Sequence, residues 1–130
     1  MKIRLFITGG TIDKVYNQSN GELEFDQTHF PEILKRARIA VDLLIEELLL
    51  IDSLDMVDAD RELILKKCVQ CDERFILVTH GTDTMCETAS YWERTLLTRQ
   101  LFCSDRWCLM QSMILMHFLI LVVLWVHCSC

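Results

Sequence analysis

Phe75-Ile76-Leu77-Val78-Thr79-His80-Gly81-Thr82-Asp83-Thr84-Met85 decides how this chain folds. Its first five residues are apolar or β-branched and carry no charge, which reads as a buried strand. Small polar residues around Gly81 end that strand, and residues 84–93 are predicted to follow as a helix. A strand that turns through a glycine into a helix is half of a βαβ unit. The turn places two hydroxyls and a carboxylate at the start of a helix, where free backbone N–H groups stabilise developing negative charge. Asp83 suits a helix cap equally well, and a single His80 in such a place is more often structural than catalytic.

Upstream the same pattern recurs. Residues 3–8 form a short apolar run stopped by Gly9-Gly10, a second buried strand entering a loop. Residues 17–27 are polar and contain Asn20-Gly21, so they read as a mobile loop or a hairpin. Pro31 is placed to open a helix through Arg38. Residues 41–51 are aliphatic and predict a buried strand, although Glu46-Glu47 and five leucines suit a helix as well. Residues 58–72 carry Leu63, Ile64, Cys68 and Val69 among charges, an amphipathic helix with acidic residues at its start. Strands alternating with helices imply an α/β domain of three layers around a parallel sheet. Ligands bind such sheets at the carboxyl ends of the strands. All three strand ends here are small and polar: Thr8-Gly9-Gly10-Thr11, Asp52-Ser53 and Thr79-His80-Gly81-Thr82-Asp83.

In Thr8-Gly9-Gly10-Thr11-Ile12-Asp13 the glycines let the backbone turn sharply near a ligand and leave the Thr11 hydroxyl free. Alone it is a turn more often than a site, and the lysine of a phosphate-binding loop is absent from it. Together with the 79–85 run, in this order and about seventy residues apart, it resembles the bacterial-type asparaginase and glutaminase-asparaginase family. The resemblance covers residues 1–88, roughly two thirds of the chain. It implies an amidohydrolase in which Thr11 attacks the side-chain amide of L-asparagine, or of L-glutamine, with Tyr16 on the mobile loop helping to activate it. Thr82 and Asp83 form the second hydroxyl–carboxylate pair, Asp83 also holding the substrate's α-ammonium group. Ser53 matches the binder of the substrate α-carboxylate. No metal or nucleotide cofactor is implied, and relatives are homo-oligomers. Leu54 departs from the pattern, since many family members carry a polar residue there. The family's catalytic lysine and smaller second domain fall beyond residue 130, and no lysine follows Lys67. The chain as written is therefore expected to be inactive.

Composition agrees with a folded body and marks a change within it. The chain is 52% apolar and 25% charged, with a net charge of -6, which argues against a nucleic-acid partner. Residues 1–89 hold ten Lys/Arg against seventeen Asp/Glu, and residues 90–130 hold three against two. Four of the seven cysteines fall in the last 28 residues, and their odd number does not make a disulfide framework. Cys68-Val69-Gln70-Cys71 has redox or zinc-ligand spacing but no second pair, so it reads as two free thiols. The start of the chain shows no secretory signal, which makes the cytoplasm the expected compartment.

Residues 113–126 are apolar except for His117, too short a run for a membrane helix of about 20 residues. The expected division is thus a partial asparaginase domain over 1–89 and an unrelated hydrophobic tail over 90–130. A reading-frame slip near Ala89 accounts for the tail. If each codon begins with the last base of the one before, six pairs have forced outcomes: Trp92–Glu93 gives glycine, Trp107–Cys108 valine, Met110–Gln111 alanine, Met113–Ile114 aspartate, Met116–His117 alanine and Trp125–Val126 glycine. All six fit the family's next helix, strand and loop. The rival reading is a non-enzymatic fragment or a tail-anchored, membrane-associated protein.

Overall fold

The computed structural model describes residues 2–73, 75–100, 108–114 and 120–127. β1 (Lys2–Ile7) leads through a 3-10 turn (Thr11–Asp13) into a hairpin of β2 (Lys14–Asn17) and β3 (Glu22–Phe25). There follow α1 (Phe30–Arg36), β4 (Asp42–Glu47), α2 (Asp58–Gln70), β5 (Phe75–Thr79), α3 (Met85–Gln100), β6 (Cys108–Ile114) and β7 (Ile120–His127). β1 lies between β4 and β5 and is parallel to both. The order of the main sheet is β4-β1-β5-β7-β6, and the last two strands run antiparallel to their neighbours.

Alternation along β1 and β5 builds the three expected layers. Phe6, Ile76 and Val78 face Ile64, Leu65 and Cys68 of α2 and Met85 and Trp92 of α3. Leu5 and Ile7 face the other way, onto Phe30 at the start of α1. A central parallel strand buried on both faces needs an unbroken apolar run, and Leu5-Phe6-Ile7 supplies it. Each side chain so buried contributes about 1.5–3 kcal/mol of transfer free energy. Arg4, one step nearer the amino end of β1, makes a two-pronged bond to Glu73 at 3.1 and 3.0 Å, tying the strand to the segment after α2. This pairing holds the Glu73 carboxyl below its ordinary range.

The elements agree with the sequence expectation in part. Residues 17–27 are the hairpin, turned by Gly21 at φ 78° and by Asn17 and Asn20, whose side chains accept the N–H groups of Ser19 and Glu22. α1 stops at Arg36, two residues short of Arg38, which has the left-handed φ of 50°. β4 covers only half of residues 41–51 and is half-buried, because it is an edge strand of the sheet. Beyond it, Leu48 and Leu49 both donate to the Ile7 carbonyl, at 2.9 and 3.2 Å. The chain then crosses the end of the sheet, with Leu48, Leu49 and Ile51 packed on one core and Leu50 on the other. The aliphatic run is therefore long because it serves both cores.

On α2 the buried face is Arg61, Ile64, Leu65 and Cys68, while Leu63 and Val69 are exposed. Asp60 accepts the Val57 N–H at 2.9 Å and so caps the helix start. Burial pushes the Cys68 thiol up to about 12, and Cys68, Cys71 and Cys86 are free. Such a thiol is a poor nucleophile, in keeping with the reading of two free thiols.

α3 runs without a break past Ala89, and Tyr91 and Trp92 pack with the α2 side of the core. Residues 108–114 and 120–127 of the apolar tail add an antiparallel pair to the β5 edge. His117, Cys103, Cys128 and Cys130 lie outside the described residues. Among the described residues no helix is long and apolar enough to cross a membrane.

The two faces of α2 can be told apart by stability. Ile64, fully buried, should cost about 2–5 kcal/mol when cut to alanine, and the exposed Leu63 about 0.5 kcal/mol or less. Urea unfolding of Ile64→Ala and Leu63→Ala measures both. Equal losses would mean that α2 presents a different face to the sheet.

Candidate active site

Three loops meet at the carboxyl ends of β1, β4 and β5, and glycines let them touch. Gly9 has φ 101°, and a Cβ there would lie 2.4 Å from the Ile51 carbonyl oxygen. Gly10 has φ 141° and faces the backbone of Gly81, whose nitrogen is 3.8 Å from where its Cβ would be. On Gly81 a Cβ would stand 2.4 Å from Ser53 Oγ and 2.7 Å from Ser53 Cβ. A side chain at residue 9 or 81 would thus displace its neighbour. The residues next to this junction are Thr11, Ser53 and Thr82.

Threonines lock the junction from beneath. Thr8 N–H donates to Thr79 Oγ1 at 3.1 Å, and the Thr8 hydroxyl donates to the Thr79 carbonyl, joining the ends of β1 and β5. Thr84 Oγ1 donates to the Ser53 carbonyl at 2.7 Å, joining the start of α3 to the loop after β4. Lys14, at the foot of the hairpin, forms an ion pair with Asp52. Asp52 also accepts the Leu54 N–H at 3.0 Å. The Lys14 bond first, and that N–H second, hold the Asp52 carboxyl below its ordinary range. Asp13, fully buried, accepts the His29 N–H at 2.8 Å and the Thr28 hydroxyl at 3.1 Å, pinning the exit of the hairpin to the 3-10 turn.

The residues singled out from sequence divide by exposure. Thr11, Thr82 and Asp83 are exposed at the mouth of the junction. Ser53 is buried at 2% exposure, and its hydroxyl has no hydrogen-bond partner among the described residues. Leu54 beside it is 70% exposed. Tyr16 is 64% exposed on β2, its hydroxyl beside Gly21 in the turn of its own hairpin. Tyr16 is not among the residues that the glycine junction brings together.

His80 is buried at 1% exposure, with Nδ1 2.7 Å from the Gly81 carbonyl and Nε2 2.8 Å from Thr88 Oγ1. Both ring nitrogens are satisfied within the protein, which is a structural role. Sequence reasoning gave no role to Thr8, Asp13, Lys14, Asp52, Thr79, Thr84 or Thr88. Their partners are 8 to 71 residues away, and the local signal was that Thr8, Asp52 and Thr79 stand at the polar strand ends.

Known proteins resemble this chain in sequence and in fold. The family profile described as "Asparaginase, N-terminal" matches residues 2–100. The thermostable L-asparaginase from Thermococcus kodakarensis is 27% identical, with a TM-score of 0.57 over 69% of this chain and 28% of its own. L-asparaginase I from Vibrio cholerae O1 biovar eltor is 27% identical, with a TM-score of 0.58 over 68% of this chain and 28% of its own. A probable cytoplasmic L-asparaginase from Campylobacter jejuni is 29% identical, with a TM-score of 0.56 over 70% of this chain and 27% of its own. No curated protein matches by sequence. The match to each solved structure thus spans little more than a quarter of its length. With the profile covering most of its residues and the glycine junction in place, the chain belongs to the asparaginase family, through that family's amino-terminal domain.

Proposed function

We propose that the junction is an asparaginase-type site, one that in the product of the frame-restored gene takes L-asparagine, with L-glutamine as the alternative, and releases ammonia. The supporting observation is the buried hydroxyl of Ser53, which has no hydrogen-bond partner among the described residues at the point where the three loops touch. Leaving such a group unsatisfied costs about 1–3 kcal/mol, and a substrate α-carboxylate would accept its hydrogen bond. Asp83, exposed two residues after Gly81 in the turn before α3, offers the matching charge for the α-ammonium group.

With the substrate held at both charged groups, its side-chain amide is directed to Thr11. The Thr11 hydroxyl adds to the amide carbon, the C–N bond breaks, and ammonia leaves with the proton that the hydroxyl gave up. Water then cleaves the acyl-threonine ester and returns the free hydroxyl with L-aspartate. A threonine hydroxyl needs activation for this, which we assign to Tyr16 once the hairpin that carries it has moved from its place beside Gly21 onto the junction. The oxyanion lies toward the N-terminal N–H groups of α3, near the second hydroxyl, Thr82. The cytoplasm is the compartment we infer. The free thiols of Cys68, Cys71 and Cys86 suit it, and one structural neighbour is itself described as a probable cytoplasmic enzyme.

We also propose the division at residue 89, with the tail in a shifted frame. The six forced codon pairs and the joint change in charge and cysteine content support it. The packing of Tyr91 and Trp92 on α2 and the profile match to residue 100 speak for a boundary later than 89, which leaves five of the six pairs as support. Sequencing the gene across codons 85–95 decides the matter: an extra or missing base is expected there, and an intact frame in the source DNA would refute the slip.

Two measurements test the site. The 130-residue chain should bind L-aspartate in a calorimetric titration, and Gly81→Ala should weaken binding by about tenfold or more, because its Cβ meets Ser53 Oγ at 2.4 Å. In the product of the frame-restored gene, Thr11→Ala and Thr82→Ala should each lower kcat for ammonia release by orders of magnitude, while Ser53→Ala mainly raises KM. Retention of full activity by Thr11→Ala would remove the nucleophile assignment. Unchanged binding in Gly81→Ala would remove the junction as the binding site.

A further inference from the structure

Behind the glycine junction runs a chain of three hydrogen bonds whose directions are forced. The Gly81 carbonyl can only accept, so His80 Nδ1, 2.7 Å away, carries the proton. In the neutral ring Nε2 is then an acceptor, and the Thr88 hydroxyl donates to it at 2.8 Å. The Thr88 oxygen in turn accepts from Arg61 Nε at 3.1 Å, and arginine keeps its protons. The other acceptor within reach of the Thr88 hydroxyl is the Met56 sulfur at 3.8 Å, a much weaker one. Arg61 is itself held on three sides. Its carbonyl accepts Trp92 Nε1–H at 2.8 Å, its Nη1 meets Asp58 at 3.2 Å, and its Nη2 lies 3.7 Å from Glu87.

We propose that His80 is a positioning residue for the substrate site, kept as the Nδ1–H tautomer by Arg61 and Thr88 so that it fixes the Gly81 carbonyl. Residue 81 can approach Ser53 only with its backbone in this one place, since the two are already in contact. The turn that presents Thr82 and Asp83 starts from the same peptide. Two residues outside the site, Arg61 on α2 and Thr88 on α3, therefore set how well the site is formed. The substrate part of the proposal rests on the asparaginase-type reading; the tautomer does not.

Protonation works against this arrangement. From α2 the ring faces the Arg61 guanidinium, flanked by Asp58 and Glu87; from α3 it faces the Thr88 hydroxyl; from the loop before α2, the Met56 sulfur lies on that same hydroxyl. A second positive charge would sit one hydroxyl away from Arg61 in a buried space. Burial above all, joined by the Arg61 charge and opposed by the Gly81 bond, holds His80 below the ordinary 6.5. A histidine with a lowered native pKa takes up protons more readily when unfolded. Its contribution to stability is complete above pH 6.5 and is lost as the pH falls from there through the native value.

Nitrogen-15 NMR of the labelled 130-residue chain tests the tautomer, with the His80 signals assigned by their loss in His80→Gln. The expected result is a neutral Nδ1–H ring that stays neutral below pH 6.5. Thr88→Val should lose the tautomer preference and weaken L-aspartate binding by about tenfold, whereas Thr88→Ser should keep both. A neutral ring protonated at Nε2, or Thr88→Val with tautomer and binding unchanged, would overturn the proposal. If the wild-type chain shows the tautomer but binds no L-aspartate, the positioning of a substrate site fails along with the asparaginase-type reading, and the tautomer stands. A chain that binds L-aspartate with a freely exchanging His80 keeps the reading and rejects the positioning role.

Discussion

Contact between the backbone of Gly81 and the side chain of Ser53 constrains everything around it. The two belong to loops after different strands, and the space left for a Cβ at residue 81 is already filled by the serine. Closeness of that kind requires β5 to end at a fixed height beside β1, which the Thr8–Thr79 pair provides. It requires the loop after β4 to be held in as well, which Thr84 does through the Ser53 carbonyl. The site is therefore a property of how three strand ends are trimmed and tied, and Thr11, Thr82 and Asp83 are displayed by that framework.

The framework draws its strength from the layers beneath it. β1 is buried on both faces, so the strand that carries the Gly9-Gly10 loop is the one least free to move. The aliphatic stretch after β4 crosses the sheet end and packs into both cores, which seats Asp52-Ser53 on a rigid floor. Polar groups buried near the site are nearly all matched. Asp13 is bound through one oxygen, His80 through both nitrogens, and Trp92 through its N–H. Ser53 Oγ, Asp13 Oδ2 and His29 Nδ1 are the buried side-chain atoms among the described residues that have no hydrogen-bond partner. Of these, Ser53 lies at the glycine junction.

Much of this was legible in the amino acids. Phe75–Thr79 has an uninterrupted apolar character that only a buried strand explains, and it folds with those limits. The two glycine motifs announced turns, and turns at the ends of parallel strands mark where ligands bind. Legibility failed where one residue type serves two purposes. Leu63 and Val69 look like core residues on α2, but Arg61 takes a core place because Asp58, Glu87, Thr88 and Trp92 satisfy it there. Residues 48–51 look like more strand because they are aliphatic, yet they are aliphatic to serve two cores. The threonine pairs were hidden for a simpler reason. Hydrogen bonds between residues 8 and 79, or 53 and 84, leave no local periodicity to detect.

Placing β1 first in the chain and β5 some seventy residues later has a consequence for biosynthesis. During translation β1 emerges with its two loop glycines and finds β4 first, since that partner lies nearer in sequence. Its other edge then waits, unpaired and apolar, until β5 has left the ribosome. Even then the loop after β5 is unsupported until Thr88 appears on the next helix and meets His80. The Gly9-Gly10 loop is thus among the earliest parts made and among the last to be given its surroundings, so a chain halted between the two would offer an open strand edge to chaperones or to other nascent chains.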